Sequence, residues 1–154
     1  MYTSLTKIAV LSFLLLFLGC EKDTETVNNP VYNLRGNATG DQEAPTRVTT
    51  TANGTISGTY NKETNLLTYT ITWTGLTGGN ASAMHFHGPA EPGKAAGVRL
   101  GITGFTPAAS GTVSGTATLD DTQEEELVNG LWYYNIHNAM YQPGEIRGQV
   151  VLTQ

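Results

Sequence analysis

The residues best suited to chemistry are the three histidines of the chain, and they fall in two short alternating stretches. His85 and His87 stand two apart in Met84-His85-Phe86-His87-Gly88-Pro89-Ala90. His137 ends Trp132-Tyr133-Tyr134-Asn135-Ile136-His137, and Glu145, Arg147 and Gln149 alternate just beyond it. Side chains of a strand alternate between its faces, and neighbouring strands lie ~4.8 Å apart. Two imidazoles at i and i+2 therefore point the same way, and one from an adjacent strand can join them. Three imidazole nitrogens with an open fourth position suit Zn²⁺ or Cu²⁺. Glu145 would then hold the far nitrogen of His137, and hydrolytic or redox chemistry becomes conceivable. Arg147 works against this reading, because a fixed positive charge on the same face opposes a cation. The same residues support a second reading. Arg147 would neutralise Glu145, and the histidines, Asn135 and Gln149 would satisfy one another in a buried polar network that sets strand register and does no chemistry.

The elements that must position these groups are strands. Residues 132–149 read as a hairpin with a loop over 138–144. A symmetric loop sets His137 opposite Glu145, Asn135 opposite Arg147 and Tyr133 opposite Gln149, where cross-strand pairs interact most. Residues 66–75 give the clearest strand, with Leu67, Tyr69, Ile71 and Trp73 alternating with threonines. Further strands are expected over 31–38, 48–60, 81–87, 98–102 and 111–119, with Gly54 and Gly58 as bulge or close-packing points. Residues 88–97 carry two prolines and three glycines and read as a loop. The one helical candidate is 120–129, with Asp121 as cap, Glu124 in capping-box position and Asn129-Gly130 as its stop. Its acidic run, Glu124 to Glu126, reads as a solvated helix start. About eight short strands, one short helix and no strand-helix-strand rhythm predict an antiparallel all-β sandwich or barrel.

The N-terminus has a different character. Lys7 precedes a nearly continuous apolar run over 8–18, too short for a comfortable membrane span, which ends at Gly19 and the single cysteine, Cys20. This resembles a bacterial lipoprotein signal (1–19) that is cleaved before a lipidated Cys20. Residues 20–30 would be a polar tether and 31–154 the folded domain. The acidic residues after Cys20 are similar to surface-export signals of some Gram-negative lipoproteins, and read equally well as a plain solvated linker. The expected location is the cell envelope, with the outer membrane as the anchoring membrane. Loss of Lys7 with the signal would move the formal net charge from −5 to −6, which argues against nucleic acid as a partner.

An ordered set of residues also carries a family resemblance. It runs through Glu43 and Pro45, the 48–54 stretch, His85-Phe86-His87-Gly88-Pro89-Ala90, Gly97-Val98 and 111–119. It ends in Tyr134-Asn135-Ile136-His137 and Pro143-Gly144-Glu145-Ile146-Arg147-Gly148-Gln149. The set resembles the CHRD domain, a module first described in chordin and found in many exported bacterial proteins. The resemblance implies an immunoglobulin-like β-sandwich or barrel and brings no activity with it. Two functions stay open. One is a non-enzymatic binding, adhesion or structural module that meets a protein or carbohydrate partner through residues 88–97 and 138–144, with Tyr141 as an exposed aromatic. The other is a Zn or Cu domain built on His85, His87 and His137. The sequence holds no nucleophile motif and no glycine-rich phosphate loop before a helix, and Ser82 and Ser110 have no assigned base.

Overall fold

The computed structural model describes residues 29–154, so the expected signal, the expected lipidation at Cys20 and most of the expected tether lie outside the described residues. The strands are β1 (Val31–Thr39), β2 (Asn53–Asn61), β3 (Leu66–Thr74), β4 (Ala83–His87), β5 (Val98–Gly101), β6 (Gly111–Thr118), β7 (Tyr133–His137), β8 (Ile146–Gln149) and β9 (Val151–Thr153). Among the described residues, one α-helix, α1 (Asp121–Val128), and a 3₁₀ turn (Gly40–Gln42) complete the elements. All pairings are antiparallel, in the order β5-β4-β7-β8-β1-β2-β3-β6, with β9 also on β1. The sheet curls into a half-barrel, so the expected all-β architecture holds, with nine strands where about eight were expected.

Alternation explains the curl. On β3, Leu67, Tyr69, Ile71 and Trp73 are buried, while the intervening threonines lie on the other face. That face is stitched by hydroxyl pairs such as Thr59–Thr68 at 2.8 Å and Thr70–Ser114 at 2.8 Å. Burying the apolar face requires a second layer. β4 and β7 supply it. They are not neighbours of β3 in the sheet, yet Phe86 of β4 meets Tyr69 edge-on with ring centroids 5.0 Å apart and tilts against Trp132 at 5.8 Å. Met84, Phe86, Tyr134 and Ile136 thus face the core, and by the same period-two rule His85, His87, Tyr133, Asn135 and His137 face the other way.

The helix departs from the sequence reading by one residue. Its cap is Asp120, which accepts from the Gln123 backbone N–H at 2.8 Å while Gln123 Oε1 accepts from Asp120 N–H at 3.1 Å. Both aspartates have a capping-box partner three residues on. Asp120 takes the role because β6 ends at Thr118 and Leu119 N–H is already bonded to Asn65 O. The acidic run is also not a purely solvated start. Glu126 is buried and accepts from Arg99 at 2.8 and 2.7 Å and from Trp132 Nε1 at 2.9 Å, tying the helix to β5 and the core. Strand β2 begins at Asn53 rather than 48, since the preceding segment is folded back, with Val48 N–H on Gly40 O.

Gly58 is a close-packing point of the kind expected. A Cβ there would fall inside the van der Waals shell of the Thr68 carbonyl, a backbone atom that cannot yield, whereas at Gly54 the nearest atoms are 3.2 Å away and one is the end of the Ile146 side chain. Gly58→Ala should therefore cost about 1–3 kcal/mol and Gly54→Ala clearly less, read from denaturant midpoints at constant slope. Equal losses would contradict this packing.

Candidate functional site

The polar face of β4, β7 and β8 carries the site. Across it, His85 pairs with Asn135 and Asn135 with Arg147, while His87 pairs with Tyr133 and Tyr133 with Gln149. The Asn135–Arg147 and Tyr133–Gln149 partners are those expected from the hairpin. His137 opposite Glu145 is not found. The ladder ends at Ile136–Ile146, where Glu145 N–H donates to Ile136 O at 2.8 Å. Gly144 precedes it at φ +134, a conformation L side chains rarely adopt, and a Cβ there would also strike Glu43 and Asn135. This turn breaks the strand alternation and sends the Glu145 side chain away from the histidines.

The three imidazoles converge. Each offers a nitrogen, and these nitrogens lie within 4.8 Å of one another. His85 Nδ1 is 3.1 Å from His137 Nε2. His137 Nδ1 is 2.7 Å from the Gln142 carbonyl, so Nδ1 carries the proton and the Nε2 lone pair faces His85. His87 Nδ1 is 3.0 Å from the Ala96 carbonyl, and its Nε2 is 3.0 Å from Asn135 Oδ1. Burial holds all three below the ordinary imidazole value of 6.5. The neighbouring imidazoles add to this at His85 and His137, and Arg147 adds to it at His87. All three are therefore neutral at neutral pH, the form that binds metal.

Arg147 and Glu145 do not form the pair that the network reading requires. Glu145 is fully buried in a cage of donors: Thr50 Oγ1 at 2.6 Å, Thr77 N–H at 2.8 Å, Thr77 Oγ1 at 2.7 Å, Gly78 N–H at 3.1 Å, and the Asn138 amide. Burial alone would raise its pKa, but these donors outweigh burial and hold it below 4.5. It therefore orients neither His137 nor Arg147. Arg147, 1% exposed, lies with its guanidinium carbon 3.5 Å from the centroid of the Tyr133 ring. The His87 ring stacks on the same phenol at 4.8 Å and 3°. Because β7 lies between β4 and β8, the phenol stands between the imidazole and the guanidinium.

The carboxylate that faces Arg147 is Glu43, just after the 3₁₀ turn. Burial raises its pKa to about 7, while Arg147 and the Ala44 N–H pull it back. The two are not an ion pair within 4.0 Å; among the described residues those are Lys62–Glu124 and Arg99–Glu126. In the sequence Glu43 carried no signal beyond its place in the family motif. Gln149, expected among the histidines, instead donates to Ala90 O at 2.9 Å and Gly130 O at 2.8 Å and so pins the start of the 88–97 loop. Tyr141 is half-buried, and its N–H donates to Asn138 Oδ1 at 2.9 Å.

A family model described as the CHRD domain matches residues 34–150. No curated protein and no solved structure matches the chain.

The Glu145 cage yields a prediction. Glu145→Gln keeps the shape but turns an N–H₂ toward donors, leaving at least one buried donor unmatched, and should cost about 1–3 kcal/mol at pH 7. The folded pKa lies below the unfolded value, so the wild-type advantage is complete above 4.5 and disappears as pH falls through the folded value. Urea unfolding of both proteins at neutral and acid pH measures this, and a constant difference across that range would contradict it.

Proposed function

The chain belongs to the CHRD family, and on that premise we propose that it is an exported, lipid-anchored domain that binds a late first-row divalent metal, Cu²⁺ more tightly than Zn²⁺, through His85, His87 and His137. The observation that carries this reading is the convergence of three neutral imidazoles, with their nitrogens within 4.8 Å. Nitrogen ligands of this kind suit both ions, and the order of divalent affinities places Cu²⁺ above Zn²⁺.

Two features of the face favour it over a purely structural network. The pair at the centre of such a network, Arg147 with Glu145, is replaced by separate environments for each residue. The objection that Arg147 repels a cation also weakens, because its guanidinium lies on the far side of the Tyr133 ring and not among the imidazoles. The loops at 88–97 and 138–144, considered above as partner-binding surfaces, supply the carbonyls of Ala96 and Gln142 that orient His87 and His137. A carbonyl on the far nitrogen fixes the tautomer and raises the basicity of the ligating one.

The anchoring part of the proposal rests on Lys7, the apolar run after it and Cys20. Cys20→Ser should leave an unprocessed precursor that incorporates no lipid label, whereas the wild type is cleaved and partitions into detergent with the membrane fraction. Normal processing and labelling of the variant would overturn this part.

For the metal, the full-length protein in detergent should melt higher with added Cu²⁺ or Zn²⁺ and lower after chelation. Mass action gives about 2.7 kcal/mol when free metal is 100 times Kd. His85→Ala, His87→Ala and His137→Ala should each abolish the shift, and Arg147→Met should retain it. Acid should weaken binding, since protons compete for the same nitrogens once pH falls through the lowered imidazole values. A wild-type protein that holds no stoichiometric metal and shows no shift would refute the reading.

A further inference from the structure

We infer that Asn135 is a fourth ligand, contributing its amide oxygen beside the three imidazoles, so that the site is N₃O; this inference rests on the metal reading above. Asn135 is 2% exposed and lies directly across the ladder from His85. Its amide orientation is set, because Nδ2 donates to the Pro143 carbonyl at 3.0 Å and Oδ1 therefore faces His87 Nε2, 3.0 Å away. The His87 ring is set as well. Its Nδ1 lies 3.0 Å from the Ala96 carbonyl, which can only accept, so Nδ1 carries the proton. The neutral imidazole then presents a lone pair at Nε2, and the Asn135 oxygen presents another to it.

Two acceptors that face each other at hydrogen-bond distance need a positive charge between or beside them. A second proton on His87 would supply one, but it would set an imidazolium next to His85 and His137, with ring centroids 5.5 and 6.3 Å away, and across a phenol from Arg147. A metal ion shared by the two atoms satisfies both lone pairs at once. Ligands at about 2.0–2.2 Å from one ion stand roughly 2.8–3.1 Å apart at a right angle, the tetragonal arrangement of Cu²⁺, and roughly 3.3–3.6 Å apart at the tetrahedral angle. The 3.0 Å His87–Asn135 contact and the 3.1 Å His85–His137 contact both fit as edges of one coordination shell. Asn135 thus does more than pair with Arg147 across the ladder.

The test titrates detergent-solubilised full-length protein with Cu²⁺ against a competing chelator and records the Cu²⁺ electron paramagnetic resonance spectrum. Wild type, Asn135→Ala, Asn135→Asp and His85→Ala are compared. The wild type should bind one Cu²⁺. Asn135→Ala should raise Kd at least tenfold and alter the copper hyperfine splitting. Asn135→Asp keeps the shape and adds a negative oxygen ligand, so it should lower Kd at least tenfold; this variant decides the matter if the alanine variant does not fold. If copper binding is lost in His85→Ala while both Asn135 variants match the wild type within twofold and give superimposable spectra, the oxygen ligand is refuted and the three-histidine site stands. If the wild type binds no copper, both readings fall together.

Discussion

The buried carboxylate of Glu145 fixes where three separate loops end. Its two oxygens gather donors from Thr50, from Thr77 and Gly78, and from Asn138. An ionised group with several directed donors thus ties these segments to one point of the sheet, beside the buried Ala52 and Leu76 that anchor two of them. The consequence reaches the polar face. Asn138 also accepts from Tyr141 N–H, which closes the turn, and the same short loop carries the carbonyls of Gln142 and Pro143. Those carbonyls decide which nitrogen of His137 is free and which way the Asn135 amide points. Glu145 touches no histidine, yet the orientation of two groups at the site depends on where it holds the chain.

The 88–97 loop is the counterpart on the other side. Gln149 pins Ala90, the Tyr133 hydroxyl accepts from Ala96 N–H at 3.1 Å, and the Ala96 carbonyl then meets His87. Beneath the loop, Trp132 packs so closely that a Cβ at Gly88 would enter its ring. Trp132 is in turn held by Glu126, which Arg99 grips with two hydrogen bonds. Each imidazole of this pair of loops is thus positioned by backbone that is itself tied to buried polar or aromatic groups. Such support matters because a site on loops is only as well defined as what holds the loops.

Period-two alternation made much of this legible in the sequence. It placed Leu67, Tyr69, Ile71 and Trp73 in the core, His85 and His87 on one face, and Asn135 opposite Arg147. It failed at Glu145, which stands one residue outside the ladder, after a glycine at φ +134 that turns the chain. Counting by two holds only while the backbone stays extended. Glu126 and Glu43 were opaque for another reason. Their partners, Arg99 and Arg147, lie 27 and more residues away, and no local pattern reports a contact of that range. The cap shifted by one residue because Asp120 and Asp121 offer the same local chemistry, and the end of β6 chose between them.

The placement of charge gives the face its selectivity under the proposed reading. Of the two carboxylates near it, Glu145 is held by its donors, and Glu43 lies on the Arg147 side, where burial raises its pKa to about 7. What remains toward the centre is imidazole nitrogen and one amide oxygen, all neutral. Ca²⁺ and Mg²⁺ need several hard oxygen ligands, mostly anionic, to repay their dehydration, and this set does not offer them. Zn²⁺ and Cu²⁺ draw their affinity from nitrogen donors and tolerate a neutral shell. Arg147, beyond the Tyr133 ring, adds a similar cost for every divalent cation, so under this reading the ligands themselves decide between ions. Under the proposed reading, an ion must therefore gain enough from imidazole nitrogen to offset that cost, which Zn²⁺ and Cu²⁺ do and Ca²⁺ and Mg²⁺ do not.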